Sequence, residues 1–595
     1  MEETGVENVP KIALWKRLLR APAFYCLFAL VGCIIALIHS EPNIHNVHII
    51  RNHQDSIVTL PYSEGMRKGE IFYVEMDVAP SWTNSINVKL TPDDCFKAIS
   101  INDADVNLEK YPDHCSWSKG FTIPAKDINE LVGQAKSYHF FMTIENGGGS
   151  AGVNATAFTT SFAKKLLYIF VALLIAIITF SIGCRLRINK KLLLLFLLGL
   201  FLRVAYTQNT GYRERSYDAD GHLEYVNIIA DEHHIPDASE GWSCYHPPFY
   251  YVGAVPFKYV FEFFGLSATA AVQWYSLFIS LATLAFGLAC LRIFASGGAF
   301  WIAAILWTFW PGFVLSAPRI GNDILFYFAH VLCLWACLRY IAESKGKFLL
   351  IAVLSAFAAY WSKSTGAITI ALTALTMAIH FIPRIFSYAK KFKSEYFSIG
   401  IFAALSITAG ILMLRGSALI GNSSGLHSHL KVGNAARNFL YFDIPNFITE
   451  PFTSAWSDGK GREYFWNYLA KTSLFGEFEL NTSEFGIWLA TIISIAFIIL
   501  LIIGIIGLWK TKWSRINFIL GAQAIAFFVA AAYLRYKYPY SCSNDFRYIV
   551  PVLISCTYCV GNGIFAGNTS LRWKFFGSIT TTIFVGCSIA LILIL

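Results

Sequence analysis

Long apolar runs parted by short polar segments dominate the chain. They lie near 22–40, 164–184, 192–207, 269–293, 298–316, 323–342, 348–362, 366–382, 397–414, 486–508, 516–534, 548–566 and 575–595. A helix needs roughly 20 apolar residues to cross a bilayer, so these runs predict about thirteen transmembrane helices. One stretch departs from the pattern. Between 41 and 163, short runs alternate apolar with polar positions (IVTL, IFYVEMDV, INVKLT, SYHFFMTIENG), and Pro-Asp and Gly-Gly-Gly turns separate them. Period-two alternation bounded by turn residues predicts strands. The expected fold is a small β-sandwich or jelly roll outside the membrane. Trp82, Trp117 and Tyr138 are its candidate sugar-stacking rings, although aromatic residues of such a domain more often fill its core.

Composition agrees with a membrane protein. Of 595 residues, 55% are hydrophobic and 14% charged, with a net charge of +9, and the mean hydropathy is +0.51. Soluble domains carry about 25% charged residues. The excess positive charge does not point to nucleic acid, because it sits in short clusters between apolar runs: Lys11, Lys16, Arg17 and Arg20; Arg185, Arg187, Lys190 and Lys191; Lys345 and Lys347; Lys390, Lys391 and Lys393; Lys510, Lys512 and Arg515; Arg572 and Lys574. Basic clusters mark cytoplasmic ends of spans, which puts the N-terminus inside and the C-terminus outside. The first run reads as an uncleaved anchor rather than a secretory signal. The expected organisation is an anchor helix over 1–40, the β domain over 41–163, a return helix and cytoplasmic link over 164–190, and a transmembrane module over 191–595 with outer loops at 208–268 and 415–485. Cys95 and Cys115 share the outer domain and suit a disulfide in an oxidising compartment. Cys244 and Cys542, also outside, either pair or stay free.

Candidate chemistry collects at the outer ends of the spans. The loop YRERSYDADGHLEYVNIIADEHHIPDASEGWSCYHPPFYY begins where a span ends. On a short helix, Asp218, His222 and Tyr225 share a face, and Asp220 points elsewhere. A carboxylate beside a His and a Tyr suits general-base work. Asp-x-Asp also suits a metal, and charges on an exposed loop are most often simply solvated. The His246-Pro-Pro segment stiffens the entry to an interfacial helix near 248–265 that carries Tyr250 and Tyr251. Asp323 opens another span, where an ionisable group is costly and functional by default. Lys363 and Arg547 are cations on the outer side, against the positive-inside trend, as phosphate binding requires. The 415–485 loop, which holds Glu477, is long enough to be a lid or binding element.

This combination of motifs resembles the GT-C superfamily of membrane glycosyltransferases over about 192–595, with the protein O-mannosyltransferases and the lipid A aminoarabinose transferase as the nearest relatives. The resemblance implies a polytopic α-helical GT-C-like fold carrying an inserted β domain. It aligns Asp218 with the family's catalytic acid. The usual second acid is Ala219 here, so Asp220 or Asp323 is its candidate replacement. Lys363, Arg547 and His246 become phosphate-binding candidates, and His222, Tyr225, Tyr250 and Glu477 substrate-binding ones. The implied reaction transfers a monosaccharide from a polyprenyl-phosphate donor to a hydroxyl of a glycan, lipid or protein, with inversion, outside a bacterial inner membrane, with no cofactor and no metal. The competing readings are a ligase using a pyrophosphate-linked oligosaccharide, a transporter or flippase of lipid-linked sugars, and an inactive membrane lectin.

Overall fold

A computed structural model describes residues 26–27, 29–34, 42–52, 54–80, 86–117, 119–159, 162–185, 187–263, 267–381, 397–406, 428–456, 459, 461–480 and 482–595. Most of the first predicted span, Trp82, and the Lys390, Lys391 and Lys393 cluster lie outside the described residues. The chain divides into two compact units, Met1–Leu197 with Phe261–Thr269, and Leu198–Val260 with Ala270–Leu595.

The first unit contains the expected β-sandwich. Its strands are β1 (Asn43–Arg51), β2 (Gln54–Ile57), β3 (Tyr62–Met66), β4 (Ile71–Ala79), β5 (Asn87–Pro92), β6 (Cys95–Ile101), β7 (Ala104–Asp105), β8 (Phe121–Ile123), β9 (Tyr138–Glu145) and β10 (Gly149–Phe158). They form a six-stranded sheet, β2-β1-β4-β9-β6-β7, and a four-stranded sheet, β3-β10-β5-β8. Alternation decides which side faces in, because successive side chains of a strand point to opposite faces. On β4, Phe72, Val74, Met76 and Val78 are buried; on β9, Tyr138, Phe140, Met142 and Ile144 are. They share one core with Val88, Leu90, Phe121 and Val153 of the other sheet. Tyr138 is therefore a core residue, 2% exposed, and its hydroxyl is engaged by the Ala135 N–H and the Gly133 carbonyl. That removes it from the sugar-stacking candidates, whereas Trp117 is 41% exposed. Cys95 and Cys115 form the disulfide. Cys244 and Cys542 are free thiols.

The second unit is helical. Across the described residues of the chain, seven helices are long and apolar enough to cross a membrane: Lys190–Asn209, Ala268–Phe294, Asp323–Glu343, Ser364–Phe381, Glu484–Lys510, Arg515–Lys537 and Leu571–Ile594. Shorter apolar helices are Phe170–Arg185, Gly297–Phe309, Gly346–Ser362, Phe397–Ser406 and Val550–Phe565. Helices Asp323–Glu343 and Gly346–Ser362 form a hairpin that turns at Ser344, in the left-handed region at φ 55°. Small residues seal it: Ala336 and Cys337 face Ala352 and Ala356.

One predicted span differs from expectation. The run 298–316 is two helices, Gly297–Phe309 and Pro311–Leu315, because Trp310 adopts ψ 118° ahead of Pro311. A residue before proline is pushed from helical toward extended geometry. The break frees the Thr308 carbonyl, which accepts a hydrogen bond from the buried Arg203 Nη1 at 3.0 Å. Arg203 also donates to the Gly199 carbonyl and Ser280 Oγ, and its guanidinium stacks over Phe313 at 4.6 Å. Beyond the break, Trp310 Nε1 donates to the Ser473 carbonyl at 2.7 Å. Gly312 lies so close to that carbonyl that a Cβ would sit 2.2 Å from it. The broken helix is thus docked on helix Phe465–Phe475, and the segment leading to Arg319 is carried with it.

Helices Glu484–Lys510 and Leu553–Phe565 meet backbone to backbone. A Cβ on Gly507 would lie 1.7 Å from the Cys559 carbonyl oxygen, and one on Gly563 would lie 2.0 Å from that of Ile503. Small residues let helices in lipid approach this closely. Gly507→Val should force them apart and lower the thermal midpoint in detergent, at about 1–3 kcal/mol for overpacking. Ile505→Val, at a position 51% exposed, should leave the midpoint unchanged. Equal midpoints for the two variants would refute the close contact.

Candidate active site

Asp218 precedes helix Ala219–Asn227 and makes no side-chain capping bond. Its carbonyl accepts the His222 N–H at 3.1 Å. It therefore stands at the mouth of the helix rather than within it, and the helix carries His222 and Tyr225 inward, both buried. Asp220 turns away, as the spacing predicts. It is held by Arg213 Nε at 3.1 Å and the Tyr212 hydroxyl at 3.0 Å.

Five separate segments bring charged groups together at the ends of the helices. Arg547 is the hub: its Nη1 lies 3.7 Å from Asp218 and 3.2 Å from Glu477, and its Nε 3.2 Å from Asp545. Arg319 reaches Glu477 from the other side at 3.7 Å. Lys363, at the end of helix Gly346–Ser362, pairs with Asp323, the first residue of the next helix over. Its Nζ also sits 4.4 Å over the Tyr548 ring. Asn322 locks the two segments by donating to the Ser362 carbonyl at 2.9 Å. Asp545 caps its own turn by accepting the Arg547 N–H at 3.0 Å. The cluster thus holds four acids against three cations, and the acids differ sharply in access. The Asp218 side chain is 34% exposed, against 9% for Asp323, 3% for Glu477 and 2% for Asp545.

Burial raises the Glu477 carboxyl well above the usual carboxylate range; the Asp545 charge adds to the rise and Arg319 opposes it. Burial also lifts Asp545, to about 7, with Arg319 again opposing.

The His246-Pro-Pro-Phe-Tyr-Tyr segment forms an aromatic plate against helix Ala219–Asn227. Tyr225 stacks on Tyr251 with centroids 3.8 Å apart, and its hydroxyl donates to the His246 carbonyl at 3.2 Å. His222 Nδ1 shares a 2.7 Å hydrogen bond with the Tyr251 hydroxyl, and its ring stacks on His246 at 5.5 Å. Burial drives the His222 imidazole down to about 3, helped by Arg319 and Lys363. Burial, aided by His222, also holds His246 well below its ordinary value. Both rings are neutral near pH 7, so His246 offers a hydrogen-bonding ring. Tyr250 faces away from the plate: its hydroxyl bonds Ser276 Oγ at 2.9 Å and accepts the Gly321 N–H at 3.2 Å. It positions the segment between Arg319 and Asp323.

Of the sequence-predicted site residues, Asp218, Asp323, Lys363, Glu477 and Arg547 fall in one cluster. His222, Tyr225 and His246 form the adjoining plate, and Asp220 and Tyr250 point elsewhere. Two members were not singled out, Arg319 and Asp545. They lie four residues before Asp323 and two before Arg547. Arg319 carried the signal already used for Lys363, a cation at the outer end of a span.

Asp545→Asn removes a carboxyl that burial and the Asp323 charge raise. A carboxyl whose folded pKa is raised stabilises the fold below its unfolded value, and that contribution is lost as pH rises through the folded value. The wild-type thermal midpoint should therefore fall, relative to Asp545→Asn, as pH rises through about 7. Parallel pH profiles would show that Asp545 holds no extra proton.

No protein-family model matches the chain, and no curated protein matches it significantly. Solved structures do. ArnT from Cupriavidus metallidurans aligns at 15% identity over 60% of this chain and 56% of its own, with a TM-score of 0.38. A second structure of that protein is bound to undecaprenyl phosphate. The Archaeoglobus fulgidus oligosaccharyltransferase aligns at 14% identity over 68% of this chain and 55% of its own, with a TM-score of 0.38. Arabinosyltransferase EmbB from Mycobacterium smegmatis aligns at 8% identity over 91% of this chain and 53% of its own, also at 0.38. The chain spans little more than half the length of these proteins. With every TM-score below 0.5, these likenesses stand as similarities and carry none of the functional reading.

Proposed function

We propose that the chain is a membrane glycosyltransferase that moves a monosaccharide from a polyprenyl-phosphate donor to an acceptor hydroxyl, with Asp218 as general base. The observation that carries this reading is the contrast in access among the four clustered acids. Asp218 alone among them is open enough to meet an acceptor, and it stands beside Arg547. Its carboxylate takes the acceptor proton as the oxygen attacks the anomeric carbon. The bond from that carbon to the phosphate oxygen breaks on the opposite face, and polyprenyl phosphate leaves with the electron pair. Lys363 and Arg547 are the cations for that departing charge, which is electrostatic stabilisation of the transition state. Asp323 positions Lys363, and Glu477 positions Arg547. The neutral His222 and His246 rings offer hydrogen bonds and a flat face to the sugar. The setting is a multi-pass protein of a bacterial inner membrane with this site outside.

General-base help contributes about 10²–10⁴ in rate, so Asp218→Asn should lower transfer from purified polyprenyl-phosphate sugar by that factor. Wild-type turnover in both Asp218→Asn and Asp218→Ala would sink the assignment. Asp220 is engaged by Arg213 and Tyr212, which leaves Asp218 to act as a base on its own. Activity should survive EDTA; loss restored by Mg²⁺ or Mn²⁺ would make the two aspartates metal ligands instead.

A further inference from the structure

Arg547 has a second side. There a small cavity is bounded by Arg215, Arg319 and Arg547, and its other polar lining includes Asp545 and the hydroxyl-bearing Ser316 and Thr472. Lys363, Asp323 and Asp218 do not line it. It therefore lies apart from the Lys363 and Asp218 side chains.

The charges around it are unequally answered. Arg319 and Arg547 already face Glu477. Arg213, two residues before Arg215, is taken by Asp220. Among the described residues, no carboxylate pairs with Arg215. Its Nε donates to the Tyr206 hydroxyl at 2.5 Å and its Nη1 to the Glu214 carbonyl at 2.9 Å. These neutral acceptors fix the plane of the guanidinium and do not offset its charge, and among the described residues none hydrogen-bonds Nη2. A half-buried guanidinium gains most from an oxyanion, which it can meet with its fork.

We propose that this cavity is an oxyanion subsite with Arg215 as its principal ligand, taking a phosphate or carboxylate of the substrates other than the leaving phosphate. The anion comes either from a second phosphate on the lipid donor or from an acidic group on the acceptor. The inference rests on the glycosyl-transfer reading for what the substrates are, and its test does not. Arg215 is a binding residue here, with Tyr206 orienting it. Because Arg547 both lines the cavity and reaches Asp218, an anion held by Arg215 would set its substrate beside the Asp218 carboxylate.

The probe is inorganic phosphate, titrated into the full chain in detergent against chloride at matched ionic strength and read by thermal shift. Undecaprenyl phosphate binding is followed in parallel by tryptophan fluorescence. Wild type should be stabilised by inorganic phosphate. Arg215→Gln should weaken that response by about 10–100-fold in phosphate concentration, the worth of one hydrogen bond to a charged group, and keep undecaprenyl phosphate binding. Arg215→Lys should keep an intermediate response, which also covers failure of the Gln variant to fold. Lys363→Gln should do the reverse: weaker undecaprenyl phosphate binding and an unchanged phosphate response. An unaltered phosphate response in Arg215→Gln, or none in wild type, overturns the subsite. Loss of both ligands in Arg215→Gln and Arg215→Lys overturns it too, by making Arg215 structural. Failure of wild type to bind undecaprenyl phosphate while the Arg215-dependent response persists would instead overturn the proposed donor and leave the subsite standing. The source of the anion follows from undecaprenyl diphosphate. Tighter binding than the monophosphate, lost in Arg215→Gln, assigns it to the donor; equal binding assigns it to the acceptor.

Discussion

A charge taken out of water must meet its opposite, and this rule governs the functional end of the helical unit. Seven ionisable side chains gather there, most of them nearly buried. Removing one partner of a buried pair typically costs about 3–5 kcal/mol, because the other charge is left unanswered. Arg547 cannot leave Glu477, Lys363 cannot leave Asp323, and Arg319 must follow Glu477. The segments that carry them are bound to one another for the same reason. Asp218 is the exception that makes the cluster useful: it borrows the field of Arg547 at 3.7 Å and keeps its carboxylate within reach of solvent.

The cluster depends in turn on a helix that does not run straight. Extended backbone at Trp310 ends one helix and starts another at Pro311, and the buried Arg203 takes the carbonyl that the break exposes. Trp310 and Gly312 then dock on the backbone at Ser473. The docked helix Phe465–Phe475 ends two residues before Glu477. A cation inside an apolar unit is costly; here it has backbone carbonyls, a hydroxyl and an aromatic face as partners, and it sets the register of two segments that supply the site. Tyr250 does similar work from the loop, tying the aromatic plate to Gly321 between Arg319 and Asp323.

Periodicity and composition determined much of this. Alternation marked the strands of the sandwich, and Tyr138 belongs to its core as its place in that alternation requires. Apolar runs marked the long helices, since the need for roughly 20 apolar residues across lipid leaves little freedom. Asp218, Asp323, Lys363 and Arg547 were visible one by one as charges at the ends of apolar runs, where a charge is expensive enough to need a reason. The break at Trp310 was not anticipated in a run whose hydropathy is continuous, although the Pro at 311 was there to signal it.

What the chain alone left open was which charges answer which. Asp323 finds Lys363 across 40 residues, and Asp218 finds Arg547 across more than 300. No local spacing encodes such pairs, because they form only when distant helices end at the same place. Tertiary structure also gave Asp220 its partner Arg213, buried His246 against His222, and brought in Arg319 and Asp545 as full members. Hydrophobic patterning acts residue by residue and can be read along the chain. Charge compensation in a buried site is a property of the assembled set, and only the folded arrangement decides it.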